Sequence, residues 1–192
     1  MSNVEPLGRG SFGSGIQDPR AKASERYVDA FDVSGVINTV KVEAGTTFLY
    51  KVSIRNDSFL PVTITDIGPQ NGGDISRHVV AVNLHLYENG GPSAGWTPFA
   101  PFRLDPGQEA GIEMEAQVGP NACVGGPGFA SWFQEPITYT IFGITRHSLV
   151  ETGTEIQLVG APRTRRVLTV VGNASGTSGR RRSRLGRPDC RS

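Results

Sequence analysis

Residues 109–118 read EAGIEMEAQV. Ala110, Ile112, Met114, Ala116 and Val118 fall on one side of a period-two pattern, and Glu109, Glu113, Glu115 and Gln117 on the other. Successive side chains of an extended backbone point to opposite faces, so this alternation describes a strand with one face in a core and one in water. Asp105-Pro106-Gly107 stands just before it, with proline at the second position of a turn and glycine at the third. Proline presets the φ angle there and glycine accepts the positive one, which is how a chain reverses into a strand.

The same reading extends in both directions. In TTFLYKVSIRN (46–56), Phe48, Tyr50, Val52 and Ile54 share a face. Asn56-Asp57-Ser58 is a turn cluster, and PVTITDIG (61–68) follows with Val62 and Ile64 on one side; the two runs are expected to form a hairpin with a slightly long loop. HVVAVNLHLY (78–87) is expected as a strand with Val80, Val82, Leu84 and Leu86 inward. TPFAPFRL (97–104) is interrupted by Pro98 and Pro101 and reads as irregular or as a short edge strand. ITYTIFGIT (137–145), EIQLVG (155–160) and RVLTVV (166–171) complete the set. Seven to eight short strands at about ten-residue spacing, with 25 glycines and 13 prolines to turn them, predict an antiparallel, immunoglobulin-like β-sandwich. Its expected core includes Phe48, Tyr50, Val52, Ile54, Val62, Ile64, Val82, Leu84, Ile112, Met114, Tyr139 and Ile141.

The expected organisation is a disordered lead-in over residues 1–28, the sandwich over 29–171 and a disordered Arg-rich tail over 172–192. A formal net charge of +1 hides an uneven distribution: from Arg163 onward there are nine arginines against one acid, whereas residues 1–162 hold ten Lys or Arg against seventeen Asp or Glu. Cys190, two residues from the end, offers Cys123 a poorly held partner, so no structural disulfide is expected. No run of 18 apolar residues is present, as a membrane-crossing helix would need. Residues 1–15 lack a basic start followed by an apolar run, so they do not read as a secretory signal. Taken literally the chain is cytoplasmic; a start lying upstream would allow an extracytoplasmic one.

Three segments carry a resemblance: YKVSIRNDSFLPVTITDIG (50–68), FAPFRLDPGQEAGIEMEAQVG (99–119) and ITYTIFGITRH (137–147). Together, over residues 31–160, they resemble uncharacterised immunoglobulin-like ectodomains of high-GC Gram-positive bacteria, which usually stand behind a membrane anchor. The resemblance implies an extracytoplasmic sandwich and supplies no catalytic residues. The arginine tail departs from that pattern.

Candidate chemistry is sparse. Glu113 and Glu115 share a face and would suit glycoside hydrolysis or a cation if a pocket held them, but alternation alone puts them on a solvated face. His78 and His85, seven residues apart, would point to opposite faces about 23 Å apart on an unbroken strand and could not share a metal. GRGSFGSG (8–15) loosely matches a dinucleotide-binding glycine pattern but lacks the strand before it and the helix after it. No catalytic residue, cofactor or metal site is therefore assigned. Two binding features are: an aromatic loop patch of Trp96, Phe99, Phe102, Phe129, Trp132 and Phe133, suited to a glycan or protein partner, and Arg180, Arg181, Arg182, Arg184 and Arg187, suited to non-specific polyanion contact. The expected function is a non-catalytic binding or structural module of the cell envelope. Its alternatives are an accessory or catalytic domain acting on polysaccharide, and weak polyanion binding through the tail.

Overall fold

The structure is a computed structural model, and it describes residues 6–11, 15, 16, 18–30, 33–69, 74–86, 95–122, 124 and 130–160. Among these are eleven strands and no helix: β1 (Leu7–Arg9), β2 (Ala23–Ala30), β3 (Val33–Val42), β4 (Thr47–Asn56), β5 (Val62–Ile67), β6 (Ile75–Asn83), β7 (Thr97–Pro98), β8 (Phe102–Leu104), β9 (Glu109–Val118), β10 (Ala130–Ile141) and β11 (Ile144–Gly160). They form a five-stranded sheet, β1-β4-β9-β6-β7, and a six-stranded sheet, β2-β3-β11-β10-β5-β8. Every pairing is antiparallel except β3 with β11, which is parallel.

β9 lies in the middle of the first sheet and pairs along its whole length with β4. Its five apolar residues are fully buried, and they meet Ile64, Ile137, Ile156 and Leu158 of the second sheet in one core. Asp105-Pro106-Gly107 turns as its sequence requires: Gln108 N–H donates to the Asp105 carbonyl at 3.0 Å, and Gly107 takes φ +74°. Of the expected core residues, Leu84 and Ile141 are partly rather than fully buried.

Several expectations are corrected. The strand count is eleven among the described residues, not seven to eight. β1 and the β2–β3 pair are additional, the run 97–104 supplies the two short strands β7 and β8, and EIQLVG continues β11 instead of forming a strand of its own. β1 has three residues, too few for a period to show. The lead-in expected over 1–28 supplies β1, which pairs with β4, and most of β2. Runs 46–56 and 61–68 do not form a hairpin: β4 belongs to the first sheet and β5 to the second, so their connection crosses between sheets. Buried Asn56 holds that crossing, its amide donating to the carbonyls of Leu60 and Leu104 at 2.8 and 2.9 Å while its oxygen accepts from Ser58 N–H at 3.0 Å. Finally, ITYTIFGIT is two strands joined by Phe142-Gly143. These residues take φ +50° and +76°, as a two-residue type I′ hairpin demands.

β6 differs from its expected register. Val79 pairs with Met114 and Ala81 with Glu113, so Val80 is an extra residue and the strand is bulged. Before the bulge Ile75, Arg77 and Val79 face inward; after it Val82 does. The strand ends at Asn83, which removes the unbroken span assumed for His78 and His85. Leu86, expected in the inward row, is buried against the other face of the sheet. A Cβ on Gly111 would meet its Cδ2 at 2.7 Å and the Trp96 ring at 3.1 Å. Glycine at 111 is what lets this cover lie flat on β9.

The strand expected over 166–171, the tail 172–192, Cys123 and Cys190 lie outside the described residues.

Candidate functional site

The end of the sandwich where β4 crosses to β5 carries an open apolar groove of about 540 Å³. Its lining comes from the crossing loop (Ser58, Phe59, Leu60), from Pro6, and from the β10–β11 hairpin (Tyr139, Ile141, Phe142, Ile144, Arg146, His147). Register explains why it is apolar. Ile137, Tyr139 and Ile141 alternate onto the inner face, and their partners across the hairpin are Ser148, Arg146 and Ile144. Ile137 is buried in the core, but the hairpin runs on past the covered part of the sheet, so Ile144 on that same face is 57% exposed. Phe59 and Phe142 are 86% and 80% exposed. Phe59, Phe142 and Ile144 line the same groove, and apolar exposure gathered in one place, not scattered singly, is what marks an interaction site. Phe142 is also the one described non-glycine residue with positive φ. Asn or Gly would sit there with less strain, so the aromatic is held at a conformational cost.

A second, buried arrangement lies between the sheets. Tyr50 of β4 donates to Glu135 Oε1 of β10 at 2.6 Å, and Arg77 Nη1 of β6 donates to the same oxygen at 2.9 Å. The Arg77 guanidinium lies 4.6 Å from the centre of the Trp132 ring, and Trp132 meets Tyr50 edge-on at 5.9 Å. Burial pushes the Glu135 carboxyl above its ordinary range, opposed first by the Arg77 charge and then by the Tyr50 hydrogen bond. Burial, together with the Glu135 charge, pushes the Tyr50 hydroxyl up as well. Glu135 is 1% exposed, so no substrate reaches it, and the cluster ties three strands together across the core.

A third hollow of about 250 Å³ lies against β4, lined by Asp18, Arg20, Leu49, Lys51 and Glu113 among others. Its charges are already matched. Arg20 is bonded to Asp18 at 2.8 Å and holds that carboxyl down at about 2. Lys51 lies 3.8 Å from Glu113 and over the Trp96 ring at 4.4 Å.

The residues expected to form one aromatic patch are placed apart. Trp96 covers the outer face of the first sheet near Lys51 and Gly111. Phe99 and Phe102 pack edge-on at 6.2 Å, with Phe102 buried. Trp132 is in the core, Phe133 is exposed on β10, and Phe129 lies outside the described residues, as do Arg180, Arg181, Arg182, Arg184 and Arg187. Of the glutamate row, Glu109 accepts from Ser11 at 2.8 Å, and Glu115 lies 3.4 Å from His78. Among the described residues no three His, Cys, Asp or Glu side chains are grouped to hold a metal.

Sequence reading missed Phe59, Phe142, Ile144 and Arg146, and with them Arg77 and Glu135. A signal existed for the first two: each is an apolar residue set among turn formers, in Asp57-Ser58-Phe59 and Phe142-Gly143. Nothing in the local pattern marks Arg77, which turns inward only because of the bulge after it.

No protein-family model matches this chain, and no curated protein does. Among solved structures, a family 123 glycoside hydrolase from Clostridium perfringens, described for its hydrolysis of glycolipid glycans, aligns at 15% identity with a TM-score of 0.28, over 62% of this chain. The chain spans 22% of that protein's length. A likeness that weak carries no argument about this one.

Proposed function

We propose that the chain is a non-catalytic binding module of the cell envelope, built on an immunoglobulin-like sandwich, and that it takes its partner in the groove between Phe59 and the β10–β11 hairpin. The strand orders β1-β4-β9-β6 and β11-β10-β5 support the immunoglobulin-like reading, since they follow the two sheets of that fold in sequence. The envelope setting rests on the resemblance of residues 31–160 to bacterial ectodomains. The observation that carries the binding reading is the exposure of Phe59, Phe142 and Ile144 around one open groove. Loops held by a rigid sandwich are where such folds place recognition.

The experiment is selection of a phage-displayed random peptide library on the immobilised chain, with the Phe59→Ser/Phe142→Asn double variant in parallel. Both substitutions lie at exposed loop positions, so the variant keeps the core. The expected result is a set of clones retained by the wild type and lost by the variant. A selection in which no clone tells the two proteins apart would overturn the groove as the binding site.

A further inference from the structure

Resting on that reading of the groove, we infer that its partner is an extended acidic peptide, which seats an apolar side chain between Phe59 and Phe142 and sets a carboxylate on Arg146. Three observations lead there.

The first is shape. The groove is open to solvent and is walled by the crossing loop on one side and the β10–β11 hairpin on the other, with Leu60, Tyr139 and Ile141 among its lining. A lipid chain or small apolar molecule laid in it would leave one side in water, whereas such sites normally bury most of a small ligand. A peptide needs only an anchor side chain in the apolar part and keeps its backbone hydrated.

The second is charge. Arg146 follows Ile144 by two residues, so both project from the same face of β11, directly across from Tyr139 and Ile141. Arg146 is exposed, and among the described residues no carboxylate lies within ion-pair distance of it. Arg55 on β4 and Arg103 on β8 differ: Arg55 closes on Asp57 at 2.6 Å and Arg103 on Asp105 at 2.7 Å. An arginine fork left open beside an apolar groove is complementary to a ligand carboxylate.

The third is the fixed position of the walls. The crossing loop is pinned by Asn56 and the hairpin by its two-residue turn. The backbone that carries the aromatic wall and the guanidinium is therefore preorganised.

The test uses the full chain, labelled with ¹⁵N, and two capped peptides: Gly-Phe-Leu-Asp-Glu-Gly and its neutral counterpart Gly-Phe-Leu-Asn-Gln-Gly. Amide shifts of residues 58–60 and 141–147 report binding. The wild type should bind the acidic peptide about three- to tenfold more tightly than the neutral one, the range expected for a partly exposed charged hydrogen bond. Arg146→Gln should abolish that preference while leaving the shared weak binding, and Arg146→Lys should restore part of it. Equal binding of the two peptides by the wild type, or a preference that survives Arg146→Gln, overturns the acidic class and leaves the groove reading standing. Groove shifts produced by phosphatidylglycerol vesicles, or by raising protein concentration, with none produced by either peptide, overturn the inference in favour of a lipid surface or a second copy. Failure of the groove reading itself shows separately, as a peptide selection that does not distinguish the Phe59→Ser/Phe142→Asn variant.

Discussion

Tyr50 on one sheet and Glu135 on the other are joined through a 2.6 Å hydrogen bond across the core, with Arg77 bonded to the same carboxylate oxygen. A buried charge is tolerated only while its partners stay in place, so removing a partner costs more than the pair contributes. Arg77→Met should therefore destabilise the chain by about 3–5 kcal/mol near neutral pH. The Glu135 carboxyl is raised above its ordinary 4.5, so its contribution to stability is fully present below 4.5 and is lost as pH rises through the raised value. Without Arg77 that rise is larger. The deficit of Arg77→Met against the wild type should shrink as pH falls toward 4.5, and urea midpoints across that window check it. A deficit unchanged with pH would mean that Glu135 stays ionised in the folded protein.

Asp18 behaves in the opposite sense. Its carboxyl is lowered from 3.8 to about 2, chiefly by the Arg20 hydrogen bond, so its contribution is present above 3.8 and is lost as pH falls through about 2. Carbon-13 titration of the carboxyl should show an inflection that moves up toward 3.8 in Arg20→Gln. An inflection that stays put would assign the lowering to the backbone N–H groups of residue 20, 2.9 Å from Asp18 Oδ1, and of Leu49, 3.2 Å from Asp18 Oδ2, instead.

Two neighbours on β9 should respond very differently to truncation. Ile112 is fully buried, and Ile112→Ala should cost about 2–5 kcal/mol through lost burial and the cavity left behind. Glu113 projects from the other face, and its contact with Lys51 is a loose 3.8 Å, so Glu113→Ala should cost less than about 1 kcal/mol. Equal losses in denaturant midpoint would place the strand one residue out of register.

Two strand glycines should also differ. A Cβ at 111 would strike Leu86, so Gly111→Ala should cost about 1–3 kcal/mol and loosen the Trp96 cover. A Cβ at 35 meets nothing within 4 Å, and Gly35→Ala should be neutral or stabilising by up to about 1 kcal/mol. Thermal melts compare them, with Trp96 fluorescence in a Trp132→Phe background reporting the cover. A Gly111→Ala protein as stable as the wild type would show that Leu86 can move aside.

Phe142 predicts a separation of stability from binding. Replacing it with Asn relieves a left-handed conformation that Asn accepts readily, so Phe142→Asn should gain about 1 kcal/mol while losing the groove's ligand. A less stable Phe142→Asn protein would mean that the phenyl ring contributes to packing despite its exposure.

The sequence by itself determined the strands whose two faces meet different surroundings. β4, β5 and β9 alternate because one side is core and the other is not, a local property that survives in the order of residues. The turn at Asp105-Pro106-Gly107 is local for the same reason. Tertiary structure alone decided the rest. The extra residue in β6 shows only against its ladder with β9, and it determines that Arg77 points at Glu135. A turn cluster such as Asn56-Asp57-Ser58 looks alike whether the next strand returns to the same sheet or crosses to the other; Asn56 settles it by hydrogen-bonding Leu104, 48 residues away. The groove exists because one hairpin overruns the sheet that covers it. The residues that uncover Phe59 and Ile144 are therefore distant in the chain, and no window of sequence contains them together.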